Sequence, residues 1–159
     1  MVGFQKRVGD ELTLYVRQLA WLYSVPQLPP KVREAAEKSG QKIQPNSVSR
    51  YDEMTASNIS PPMPPNPMPH FILWFTEIGM VEAGGMGSAP LSWREIVAWQ
   101  DNVRIRLTPW QARMMRSLSV AYLAQKAKSE LTTDPAPWSA GVTDSARAAD
   151  EAAIDAMVG

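Results

Sequence analysis

Apolar residues recur at Phe4, Val8, Leu12, Tyr15, Leu19 and Leu22, spacings of three and four that predict a helix over residues 4–23 with one apolar face. Val16, Ala20 and Tyr23 widen that face, and Gly9 weakens the first turns. Pro26 and the pair Pro29-Pro30 stop the helix. PKVREAAEKSG makes a short second helix, with Pro30 near its start and Gly40 just past its end. Val32 is its only large apolar residue, so it can cover a neighbour but not nucleate a core. The pattern then lapses over residues 41–69, where Ser, Asn, Gln and Pro dominate. Six of the chain's 14 prolines fall between Pro61 and Pro69. PPMPPNPMP reads as extended polyproline II, either a stiff spacer or a docking strip in which Met63 and Met68 are adaptable contacts.

Periodicity returns in HFILWFTEIGMVEAG. FILWF alone would suit a strand, but Ile78 lies three residues after Phe75 and four after Trp74, which predicts a helix over 70–82. AGGMGSAP reads as a glycine-rich loop. Two firm helix starts follow. Ser92 with Glu95 makes a capping box, with Leu91 and Ile96 as its staple, for a helix over 92–102. Thr108, Pro109 and Gln111 start another over 109–130, with a weaker staple from Leu107 and Ala112. Trp110, Met114, Leu118, Ala121, Tyr122 and Gln125 form its stripe, and Arg113, Arg116, Lys126 and Lys128 take the polar side. The last stretch, TDSARAADEAAIDAM, carries only a thin stripe of Ala149, Ala153, Ile154 and Met157 and should fray unless a partner covers it. The expectation is all-α: a core domain over 70–131 of about three helices (70–82, 92–102, 109–130), an N-terminal helical segment over 1–40, an irregular Pro-rich linker over 41–69, and an acidic flexible tail over 132–159, partly helical.

Charge adds one asymmetry. The formal net charge is zero, which argues against a life on phosphate backbones. Yet residues 91–130 hold seven basic and three acidic side chains, whereas 131–159 hold one basic and five acidic. The tail either shields the basic segment in cis or stands as an independent solvated end. With no cysteine, thiolate catalysis, disulfides and Cys-based metal sites are excluded. Asp10 and Glu11 stand where a signal peptide needs an apolar run, and no stretch approaches the roughly 20 apolar residues of a membrane span, so a soluble intracellular protein is expected. His70 is the only histidine and reads as a helix-start residue. No carboxylate cluster, phosphate loop or serine elbow is present, so no catalytic residue, metal or cofactor is expected.

The two capped helices invite a helix-turn-helix reading with Arg104, Arg106, Arg113 and Arg116 as a basic face. That motif uses a turn of about 3–4 residues. The joint DNVRIR is longer, and Trp110 is a poor base reader at the head of a recognition helix. A solvated basic face suits these residues better. Trp74, Trp93, Trp99 and Trp110 suit a small aromatic core, but about 60 residues cannot bury them all. Trp74, Phe75, Trp93, Trp99, Trp110, Met114 and Met115 are therefore the candidates for a partner surface.

The order of a Pro-rich lead-in, an aromatic helix, a Gly-rich loop, PLSWREIVAW and RLTPWQARMMRSLSVAYLA resembles the short tail assembly chaperones of long-tailed bacteriophages, over about residues 61–125. Their pattern is an aromatic W-F helix, then [IL]-[ST]-W-x-[DE]-[IL]-x-A-W, L-[ST]-P-W-E and an ending near A-[FY]-L-A. Gln111 stands here where an acidic residue is usual, a change a capping box tolerates. The first 60 residues lie outside the pattern; they are either the other half of a chaperone made by ribosomal frameshifting or unrelated to it. The resemblance implies a non-enzymatic protein that coats the tape measure protein, helps bring tail tube subunits to it in the infected cell's cytoplasm, and is absent from the finished virion. Self-association is compatible with it. A structural tail or connector component and a small DNA-binding adaptor are the alternatives.

Overall fold

The computed structural model describes residues 2–140 and 152–158; residues 141–151, in the middle of the expected tail, lie outside the described residues. Helices α1 (Val2–Tyr23), α2 (Pro30–Lys38), α3 (Arg50–Ala56) and α4 (Pro69–Glu77) are followed by strands β1 (Glu82–Gly84) and β2 (Gly87–Ala89), then by α5 (Trp93–Val103) and α6 (Pro109–Lys128). A short helix, α7, covers residues 152–158. The described residues are thus mostly helical, roughly as the all-α expectation has it, with one short hairpin added. The glycine-rich stretch expected to be a loop is an antiparallel hairpin that pairs Glu82 with Ala89 and Gly84 with Gly87. Glycine is required there: Gly87 has φ +120°, and a Cβ on Gly84 would sit 3.1 Å from both the Ala89 Cβ and the Gly87 carbonyl oxygen.

The helix expected over 70–82 ends at Glu77. Gly79 at φ +100° lets the chain turn back, so that the Met80 N–H bonds the Phe75 carbonyl (3.1 Å) and the Gly79 N–H bonds that of Thr76 (3.1 Å). This is a Schellman end, which consumes the residues that would have extended the helix. Within the expected irregular stretch, α3 is a further departure. Its Ser49 side chain accepts from the Asp52 N–H, an N-cap that starts a seven-residue helix.

One core joins the expected N-terminal helix to the rest. Val8, Leu12, Val16 and Ala20 of α1 lie in a single buried cluster with Phe71, Ile72 and Phe75 of α4, Ile96 and Trp99 of α5, and Met115, Leu118 and Tyr122 of α6. The core therefore has four helices rather than about three, with α1 packed chiefly along α6. Each such large side chain contributes about 1.5–3 kcal/mol of burial free energy. The proline strip is laid on this body: Pro64 is buried, Met68 packs against the core, and Gln18 Nε2 donates to the Pro62 carbonyl at 2.9 Å.

Arg50, the first residue of α3, ties the C-terminal ends of α1 and α6 together. Its Nη1 donates to the carbonyls of Trp21 (3.2 Å) and Ser129 (2.7 Å) and to Ser24 Oγ (2.6 Å), and its Nη2 donates to the Leu131 carbonyl (2.7 Å). The guanidinium also lies 4.6 Å from the Trp21 ring centroid. Carbonyls left over at helix ends attract a cation. Burial lowers the Arg50 pKa from its usual value, and nearby Asp134 opposes that shift; an arginine stays charged regardless. The start of the expected tail joins the same end of the molecule, where Trp21 Nε1 donates to the Asp134 carbonyl at 3.0 Å and the Trp138 N–H to Gln18 Oε1 at 3.1 Å.

Candidate functional site

The two capped starts set α5 and α6 beside each other, and they differ in chemistry. Thr108 and Gln111 form the full reciprocal box: Thr108 Oγ1 accepts from the Gln111 N–H (3.2 Å), and Gln111 Oε1 accepts from the Thr108 N–H (2.9 Å). Ser92 forms only half of one. Its Oγ accepts from the Glu95 N–H (3.3 Å), but its own N–H is taken at 2.6 Å by Glu82 Oε1, reaching in from β1. The expected Ser92–Glu95 box is thus replaced by a carboxylate supplied from the hairpin.

Of the seven candidate contact residues, the structure assigns three to the interior. Phe75 and Met115 are fully buried, and Trp99 is buried with its Nε1 donating to Glu77 Oε2 at 3.1 Å. Their apolar surface is spent on the core, so they are not available to a partner. Trp74, Trp110 and Met114 are half-buried and pack against that core. Trp74 meets His70 edge-on at 5.1 Å and Trp99 at 6.1 Å between centroids. Trp110 and Met114 lie under α1, where a Cβ on Gly9 would be 4.0 Å from Trp110 and 3.4 Å from the Met114 sulfur. Trp93 alone of the seven is exposed, at 52 %.

The basic candidates also divide. Arg104 is the left-handed C-cap of α5 (φ 59°) and, with Arg106, lines a small cleft of about 160 Å³ beside Gln100 and Asp101. Arg113 and Arg116 line a different one. That groove, of about 380 Å³, is bounded by Trp93 on α5 and by Arg113, Arg116, Ser117 and Val120 on α6. The Arg116 guanidinium lies 5.9 Å from the Trp93 ring centroid. Val97, one turn beyond Trp93, is 53 % exposed, and Val120 is 43 % exposed. Neither arginine has a carboxylate partner among the described residues, whose ion pairs are Lys6–Asp10 and Arg7–Glu11. The result is an apolar floor with a cationic wall, suited to holding an amphipathic segment with acidic flanks.

A family model described as phage tail assembly chaperone matches the chain from residue 49 to residue 124, a stretch that holds α3, α4, the hairpin, α5 and most of α6. Residues 49–124 match the phage tail assembly chaperone family. The match contains the whole groove. It begins at the cap of α3, so α1 lies outside the matched segment while filling its core. Neither a curated protein nor a solved structure matches the chain.

Sequence reasoning missed Val97, Ser117 and Val120. Their signal was present: Val97 follows Trp93 by four, and Val120 sits off the stripe of Trp110, Met114 and Leu118, an apolar residue in the basic row of α6. Among the described residues no three His, Asp or Glu side chains gather as a metal cluster would require, and no helix is long and apolar enough to cross a membrane.

Proposed function

We propose that this protein is a non-enzymatic chaperone of phage tail assembly that binds the tape measure protein and helps recruit tail tube subunits to it. It acts in the cytoplasm of the infected host and leaves before the particle is complete. The observation carrying this reading is the family match over residues 49–124, which encloses the Trp93–Arg116–Val120 groove. The groove gives the match a physical means: a partly apolar surface can cover the apolar face of a partner helix until that helix assembles. Trp93 is the anchor, because an aromatic ring backed by a guanidinium combines contact area with orientation.

A DNA-binding role for the basic residues has less support. α1 covers Trp110 and Met114, so that side of the first turns of α6 is closed to a DNA groove. Co-expression with a tape measure fragment tests the proposal. The fragment should be soluble with the wild-type protein and insoluble with Trp93→Glu, while the variant's own melting temperature stays unchanged because Trp93 is surface-exposed. A fragment no more soluble with the wild type than without it would sink the reading. Recovery of the protein from purified virions would favour the structural-component alternative.

A further inference from the structure

We propose that α7, the helix over residues 152–158, docks in cis on the groove bounded by Trp93, Arg113, Arg116 and Val120, making the protein's own C-terminal segment the groove's resident occupant. Both halves of the contact are unpartnered among the described residues. On α7, Ile154, Met157 and Val158 follow spacings of three and four and so share one face, which is exposed at 59 %, 87 % and 83 % respectively. Asp155 borders that face. A helix this short does not hold its form in water unless a surface covers it. The groove offers Trp93 and Val120, with Val97 exposed one turn along α5, for the apolar residues, and two arginines without carboxylate partners among the described residues for the acid.

Charge selects this occupant. Residues 131–159 carry five acidic side chains against one basic, and residues 91–130 carry seven basic against three acidic. Opposite patches on one chain meet at the effective concentration a tether sets, which for short tethers is in the millimolar range. The tether is long enough. Trp138 is tied to the body through Gln18, and 12 residues, from 140 to 152, can reach at most about 40 Å when extended. The 20 residues of α6 span only about 30 Å. Docking would hide Trp93 until a partner with a better-matched apolar face displaced the tail. Only that last consequence rests on the assembly reading; the docking itself is a property of the isolated chain.

The chain has no cysteine, so Gly159→Cys gives one attachment point for a paramagnetic label and keeps Ile154, Met157 and Val158 intact. The resonances of the Trp93 indole and of the Val97 and Val120 methyls should lose most of their intensity. Those of Leu73 and Met86, exposed on α4 and at the hairpin tip, should keep theirs. Arg113→Glu with Arg116→Glu should restore the groove signals. Equal broadening at Leu73 and Met86, or none at the groove, would overturn the proposal. So would groove broadening that survives the double reversal. Broadening seen only when labelled and isotope-enriched chains are mixed would place the tail on a second copy and overturn docking in cis.

Discussion

Arg50 and Arg116 have the same side chain and opposite physical situations. Arg116 is exposed over Trp93, and changing it should alter stability by no more than about 0.5 kcal/mol. Arg50 is buried, and its two terminal nitrogens reach acceptors on α1, on the end of α6 and on the segment beyond it. Lysine keeps the charge but places one nitrogen where the fork places two, so it cannot hold both sides. Arg50→Lys should therefore cost about 2–4 kcal/mol, since hydrogen bonds to a charged donor are lost and buried carbonyls are left without partners. Urea unfolding of the two proteins measures this; a midpoint within error of wild type would show that the clamp is dispensable. Nothing in the local sequence marks Arg50. Its side-chain partners lie 26 to 81 residues away, and an arginine in a polar stretch reads as solvated.

Among the elements, those whose ends are written in adjacent residues were legible. The starts of α5 and α6 fall within a residue of expectation because Ser92 and Thr108 cap the N–H three residues on, as their spacing implies. Gly40 and Gly79 both take positive φ just beyond a helix, yet only Gly40 reads as a stop in the sequence; the apolar Met80-Val81 pair disguises Gly79. The half-box at Ser92 could not be read, because its carboxylate arrives from β1, ten residues earlier in the chain. The difference is measurable. Glu82→Ala removes the acceptor of the Ser92 N–H and a negative charge at the start of α5, a loss of about 1–2 kcal/mol. Glu95→Ala leaves the Ser92 Oγ bond in place, because that bond uses the Glu95 backbone N–H, and should cost less. Thermal melts of both variants give the ranking, and a larger loss at Glu95 would restore the local capping box. The groove lies at the limit of legibility: composition and spacing single out its arginines and Trp93, but periodicity cannot tell an exposed Trp93 from a buried Trp99 six residues away.

At the scale of the whole molecule, the segment matching the family does not enclose its own core. Residues 49–124 contribute Phe71, Phe75, Leu118 and Tyr122, and the cluster that buries them is completed by Val8, Leu12, Val16 and Ala20 of α1. Arg50 then fastens the far end of α1 to the end of α6. A fragment covering residues 49–130 would expose that side of the core at a size where a single core is already marginal. It should lack cooperative unfolding and bind a hydrophobic dye, while a peptide of residues 2–24 added in trans should restore both a sharp transition and low dye binding. Leu12→Ala in the intact chain should cost about 2–5 kcal/mol, the range for a fully buried leucine replaced by a cavity. A fragment that melts cooperatively without the peptide would mean that α4, α5 and α6 suffice, and α1 would then be an added layer. If the peptide is needed, α1 is part of the folding unit, and any reading of the first 48 residues as a detachable extension fails on stability grounds alone.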